Sequence, residues 1–94
     1  KEGFDTVFAG NSCSNASRGI FQNFRVNFSL FVEGNLFENL SGPAIEYEAR
    51  SVCDASTLVD NTFSSTGAVI CGNDTATTEA EINDLPNASG NVVN

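Results

Sequence analysis

The sequence predicts an all-β fold: a β-solenoid of about four coils. Three observations carry that prediction. Apolar segments of three to five residues alternate with turns rich in Asn and Gly. The turns recur roughly every 25 residues, a period too short for the common helical repeats. No stretch sustains a 3.6-residue apolar period, and Asn and Gly are poor helix formers. A leucine-rich repeat needs Leu at several fixed places, and this chain has few.

The chain reads as one module, 1–94, divided into coils 7–29, 30–56, 57–79 and 80–94. The first carries VFAGNSCSNASRGIF from Val7, and the second LFVEGNLFENLSGPAIEYE from Leu30. The third carries TLVDNTFSSTGAVIC from Thr57; the fourth, AEINDLPNASGNVV from Ala80, is the weakest copy. Each has a turn pair: Gly10-Asn11, Gly34-Asn35, Asp60-Asn61 and Asn83-Asp84. The second members of these pairs are nearly evenly spaced along the chain. Stacked one strand spacing apart, about 4.8 Å, equivalent residues meet directly. Asn11, Asn35, Asn61 and Asp84 then form a turn ladder, since Asn and Asp tolerate left-handed backbone and bond a neighbour's amide.

Two residues after each turn, Cys13, Phe37, Phe63 and Pro86 are expected to stack inward. A polar step leads to Gly19, Gly42, Gly67 or Gly90, and then to an apolar pair. Ile20, Ile45, Val69 or Ile70, and Val92 or Val93 supply a second interior ladder. Stacked apolar side chains leave little void, so these ladders read as packed core and no cofactor is expected.

The stretches GNLFENLSGPAIEYE and DNTFSSTGAVICGN resemble the repeats of right-handed parallel β-helix proteins, the pectin-lyase-like group. The usual text there is an Asn, a buried Phe two residues on, a polar turn, Gly, then Ile. The resemblance runs along nearly the whole chain and is strongest over 30–72. It implies a right-handed coil and no particular activity, because many unrelated functions use such folds.

Composition narrows the function classes. Twelve acids against four bases give a net charge of −8, the wrong sign for nucleic acid. No apolar run approaches the length that crosses a bilayer, so no membrane span is expected. His is absent and the three cysteines form no CxxC pair, which argues against zinc and leaves no metal site expected. The chain starts at Lys1 with neither Met nor a signal-like segment, and so reads as a processed chain or a piece of a longer one.

Five N-x-[ST] triplets begin at Asn15, Asn27, Asn39, Asn73 and Asn87. Together they point to a secreted, N-glycosylated protein, with covalent sugar as its expected non-protein group. Asn15, Asn39 and Asn87 fall three or four residues before the repeat Gly, hence on one turn face. Cys53 and Cys71 are candidates for a bridge between coils, and Cys13 for a buried free thiol. Whether the bridge forms is open from spacing alone.

The ends suggest a role. A stacked repeat needs capping units, and no amphipathic helix precedes the first coil or clearly follows the fourth. Both ends are expected to be open. Joined to a second copy, the chain would bring the next turn Asn about one coil length after Asp84, close to the other intervals. This predicts an extracellular structural module that self-associates head to tail into a filament, with a rise of about 19 Å per copy. The alternatives are a carbohydrate-binding or adhesion module, or a non-catalytic fragment of a polysaccharide-degrading enzyme. Catalysis has little support. Lys1, Arg18, Arg25 and Arg50 align with no Asp cluster, and Glu46 and Glu48 read as a solvated strand face.

Overall fold

The computed structural model describes residues 6–22, 30–66 and 69–94. Its strands are β1 (Thr6–Ala9), β2 (Ser12–Ser14), β3 (Ile20–Gln22), β4 (Leu30–Glu33), β5 (Leu36–Glu38) and β6 (Ile45–Tyr47). Helix α1 (Arg50–Ala55) precedes β7 (Thr57–Val59), β8 (Thr62–Ser64), β9 (Val69–Cys71) and β10 (Asp74–Ala76). Helix α2 (Glu79–Asn83), β11 (Ala88–Ser89) and β12 (Val92–Val93) complete the chain.

These strands form three sheets of four, in the orders β1-β4-β7-β11, β2-β5-β8-β12 and β3-β6-β9-β10. The chain visits the sheets in turn, and one strand from each makes a tier. All described pairings are parallel except β9–β10.

The expected fold class is therefore corrected. The molecule is not an all-β solenoid of four coils with open ends. It is a small three-sheet fold, largely parallel, with two short helices. Three complete tiers are followed by only two parallel strands, β11 and β12, because the chain turns back at Gly72-Asn73 and β10 runs antiparallel. A two-residue loop with Gly first, at φ 64°, is hairpin chemistry, and it overrides the parallel repeat.

The helices have local causes. Around α1 the sequence ARSVCDA lacks Gly, Asn and Pro, and Arg50 Nε bonds Asp54 Oδ1 at 2.8 Å across one turn. Helix α1 buries Val52 and Cys53, and Ser56 ends it with its Oγ donating to Val52 O at 2.8 Å. Helix α2 starts on a capping box: Glu81 N donates to Thr78 Oγ1 at 3.1 Å, and Thr78 N donates to Glu81 Oε1 at 3.1 Å. Ile82 is its buried residue.

Inside the sheets, Cys13, Phe37 and Phe63 stand in register. The Phe37 and Phe63 rings stack with centroids 5.2 Å apart and planes 8° from parallel. Phe8, from another sheet, lies 6.4 Å from Phe37. The fourth member of this ladder is Val93, paired with Phe63, and not the expected Pro86, which is exposed. Ile20, Ile45 and Val69 form the second ladder, and Ala76 ends it. Val92 and Val93 belong to the other sheet.

The repeat glycines do not stack as expected either. Gly19 aligns with Ala44, and a Cβ on it would lie 2.4 Å from Ala44 O, so close backbone approach demands the Gly. Gly42 instead lies against Ser17, and Gly67 falls outside the described residues.

A candidate assembly surface

The turn ladder defines the two ends of the molecule. Gly10, Gly34, Asp60 and Gly90 all hold left-handed backbone, with φ between 56° and 70°. Each precedes one asparagine of the ladder, Asn11, Asn35, Asn61 or Asn91. The fourth rung is therefore Asn91. Asp84 is the C-cap of α2 and takes no part in the ladder. Successive rungs are separated by 24, 26 and 30 positions, since the last pass is lengthened by β10 and α2. With this register the interval to a following copy falls well below one coil and no longer resembles the others.

Each rung bonds to the next in the same way. The backbone nitrogens of Asn11, Asn35 and Asn61 donate to Oδ1 of Asn35, Asn61 and Asn91 at 2.8, 2.9 and 3.0 Å. The Nδ2 of Asn35, Asn61 and Asn91 donates back to Phe8 O, Val32 O and Leu58 O at 2.7, 3.1 and 2.9 Å. Asn35, Asn61 and Asn91 are buried, so these bonds satisfy groups that water cannot reach.

Beyond Asn91 the edge is closed by the chain itself. Asn83 Oδ1 accepts from Asn91 N at 3.0 Å and from Asn91 Nδ2 at 2.8 Å, while Asn83 Nδ2 donates to Asn91 O at 2.9 Å. Val93 N donates to Glu79 Oε1 at 3.0 Å, and Ala88 N to Leu85 O at 3.2 Å. The third sheet ends on β10, which runs antiparallel to β9.

The opposite end differs. Asn11 is exposed, and its Nδ2 folds back onto Ala9 O two residues earlier, at 3.0 Å. Among the described residues, no strand pairs with the outer edge of β1, β2 or β3. Their inward residues Phe8, Cys13 and Ile20 are partly buried, as Ala88 and Val93 are at the Asn91 end, and Val7 (64%), Phe21 (44%) and Val92 (43%) are exposed. Among the described residues this is an unpaired strand edge over a partly buried core rung.

The glycosylation candidates scatter around the sides. Asn15 and Asn39 occupy equivalent exposed turns with φ 58° and 56°, followed in the stack by Ser65 at 49°. Asn15 N bonds Glu38 O at 3.2 Å and Asn39 N bonds Ser64 O at 3.0 Å, so the two turns are adjacent. Asn73 sits exposed in the β9–β10 loop. Asn87 is exposed, with Nδ2 donating to Asp54 O at 3.0 Å, away from the Asn15–Asn39 pair. Asn27 lies outside the described residues.

Cys53 and Cys71 are disulfide-bonded, with Cα atoms 5.5 Å apart, tying α1 to β9. Cys13 is free. Beside the bridge, a cavity of about 10 Å³ lies between Tyr47, Ser56, Leu58 and the 85–88 segment. Tyr47 is buried and its hydroxyl makes no hydrogen bond of proper geometry. Burial pushes its pKa up, opposed weakly by the nearby Ser56 hydroxyl.

A larger hollow of about 160 Å³ lies between the β9–β10 hairpin and α2, with Asp74, Glu81 and Asp84 around it. Two of those acids already have partners: Asp74 pairs with Arg50, and Glu81 with Thr77 and Thr78. Glu46 lies 3.5 Å from Arg18, whose guanidinium also covers Phe21, and Glu48 lies beyond the inward Tyr47. Arg25 is outside the described residues.

Sequence reading missed Asn91 and Glu79, placed Asn83 in the turn ladder's last pair, and placed Val93 in the second ladder rather than opposite Phe63. The signal for Asn91 was present, since Gly90-Asn91 repeats the dipeptides Gly10-Asn11 and Gly34-Asn35. The signal for α2 was Thr78-x-x-Glu81, a capping-box spacing. No family model, no curated protein and no solved structure matches the chain.

Proposed function

We propose that this is an extracellular structural glycoprotein module and that the β1–β2–β3 face is its assembly surface. The observation that carries the reading is the asymmetry of the ends. At the Asn91 end the N–H groups of Ala88, Asn91 and Val93 are bonded within the chain, to Leu85, Asn83 and Glu79, while at the Asn11 end, among the described residues, no strand pairs with the outer edge of β1, β2 or β3 and Asn11 folds back on Ala9. Edge strands left in this state pair with other strands. The partner that fits is a parallel tier whose own turn offers a backbone N–H to Asn11 Oδ1.

The extracellular part rests on two features. A disulfide-bonded pair is consistent with an extracellular protein. Four of the five N-x-[ST] asparagines are placed, and all four are exposed. Among the described residues, no helix is long and apolar enough to cross a membrane.

The test uses protein secreted from eukaryotic cells. Peptide mass spectrometry should find sugar on Asn39 and on at least one other of the five asparagines. Material taken from its extracellular setting should sediment as assemblies, and Phe8→Asp, which puts a charge on the open core rung, should release monomers. Sugar-free peptides would remove the glycoprotein reading. Assemblies that survive Phe8→Asp would remove the assigned surface.

A further inference from the structure

We infer that α2 is a built-in plug that imitates the first tier of a second copy, and that moving it aside opens a head-to-tail joint between copies. The inference rests on the reading of the β1–β2–β3 face as the assembly surface. It adds what that face binds and what holds the joint closed.

The plug and a tier correspond atom by atom. Within the chain, each ladder asparagine gives its backbone N–H to the Oδ1 of the next rung. Each also receives, on its carbonyl, the N–H of the first strand residue of the next tier. Asn11 O accepts from Leu36 N at 2.9 Å, Asn35 O from Thr62 N at 2.8 Å, and Asn61 O from Val92 N at 2.8 Å. A following tier therefore presents three groups in order: an Asn Oδ1, then the N–H and the C=O of the next residue.

At Asn91 all three positions are filled by α2. Asn83 Oδ1 takes the place of the next Asn Oδ1, and Asn83 Nδ2 takes the place of the next backbone N–H. Glu79 Oε1 takes the place of the strand carbonyl, accepting from Val93 N. The helix reproduces with two side chains what a tier provides with one side chain and its backbone.

The first tier of the same chain carries the full set on its outward side. Cys13 pairs with Phe37 and Ser12 with Leu36, and backbone groups alternate along a parallel strand, so Ser12 N–H and C=O point away from β5. Asn11 Oδ1 completes the set, since the corresponding atom in every later rung accepts from the rung before it. Continuing the register places Val92 of one copy against Ser12 of the next, and Val93 against Cys13. The apolar ladder Cys13–Phe37–Phe63–Val93 would then run on into the next Cys13. Besides its bonds to Asn91 and Val93, the plug is anchored by one buried side chain, Ile82, and its start is fixed by the capping box.

The joint is tested by cross-linking through the native free thiol. Val93→Cys is combined with Glu79→Ala and Asn83→Ala, and the folded protein is oxidised under mild conditions. The expected result is a reducible ladder of dimers, trimers and longer products. It should vanish with Cys13→Ser and shorten when unmodified chain is added, because that chain ends growth with its own plug. Folded triple variant that yields no ladder overturns the inference, as do dimers that persist with Cys13→Ser. If the triple variant does not fold, Val93→Cys alone is followed at high concentration. Slow linkage to Cys13 through transient opening of α2 is then expected, and its absence overturns the inference. Phe8→Asp separates the two levels. Native assemblies that dissociate with Phe8→Asp, beside a cap variant that forms no ladder, leave the surface standing and remove only the plug.

Discussion

Asn83 Oδ1 accepts two hydrogen bonds from Asn91, one from its backbone nitrogen at 3.0 Å and one from its Nδ2 at 2.8 Å. A helix residue thereby finishes a ladder built by strand turns. This pair explains why the molecule has one closed end, and it ranks the rungs energetically.

Asn61 should be the most sensitive rung. It is fully buried and bonded on both sides, to Asn35 and Asn91. Asn61→Ala would strand the Asn35 N–H and the Val32 carbonyl without water, an expected loss of roughly 3 kcal/mol. Asn11→Ala, at the exposed end, should lose under about 1 kcal/mol. Urea unfolding of both variants checks the order; equal losses would contradict a ladder graded by burial.

The stacked rings make a parallel case. Phe63→Ala removes a buried ring packed on Phe37 and should destabilise by about 3–5 kcal/mol. Phe8 is only partly buried, so Phe8→Ala should lose roughly half as much. The same unfolding experiment reads both.

The Cys53–Cys71 bridge closes a short loop, with the cysteines 18 residues apart in sequence. Replacing both cysteines by Ser should lower stability by about 3 kcal/mol in the chain-entropy model. A midpoint unchanged between oxidised and reduced protein would show that α1 and β9 are held without it.

Acid should loosen the plug. The Glu81 carboxyl is held below its ordinary value, chiefly by the Thr77 backbone N–H and then by that of Thr78. A group depressed in the folded state supports it fully above the unfolded pKa, and that support is lost as pH falls through the folded pKa. Amide exchange at Thr77 and Thr78, corrected for intrinsic rates, should therefore accelerate as pH drops below the ordinary Glu range. Glu81→Gln keeps an acceptor at the capping position and should abolish this pH dependence.

Much of the middle of the molecule is legible in the sequence. Asn35, Asn61, Phe37, Phe63, Ile45 and Val69 announce themselves because neighbouring tiers repeat the same chemistry at nearly the same interval. The last pass is not legible by interval. The hairpin at Gly72-Asn73 and helix α2 lengthen it, and a search for even spacing settles on Asn83-Asp84 rather than Gly90-Asn91. That one slip misplaces Pro86 and Val93 and makes the far end look open. The helices are hidden for a similar reason: the density of Asn and Gly is a property of the whole chain, whereas a capping box acts over four residues. The asymmetry of the ends depends on side chains reaching across tiers, which no local pattern encodes.

The most direct measurement is residue-resolved hydrogen exchange on the unassembled chain. Strong protection is predicted for the Asn91 and Val93 amides, which point outward at the closed end and are bonded by Asn83 and Glu79. Near-intrinsic exchange is predicted for the Ser12 amide, the outward group at the opposite end. Protection of Ser12 equal to that of Val93 would contradict an open assembly face, and fast exchange at Val93 would contradict the plug.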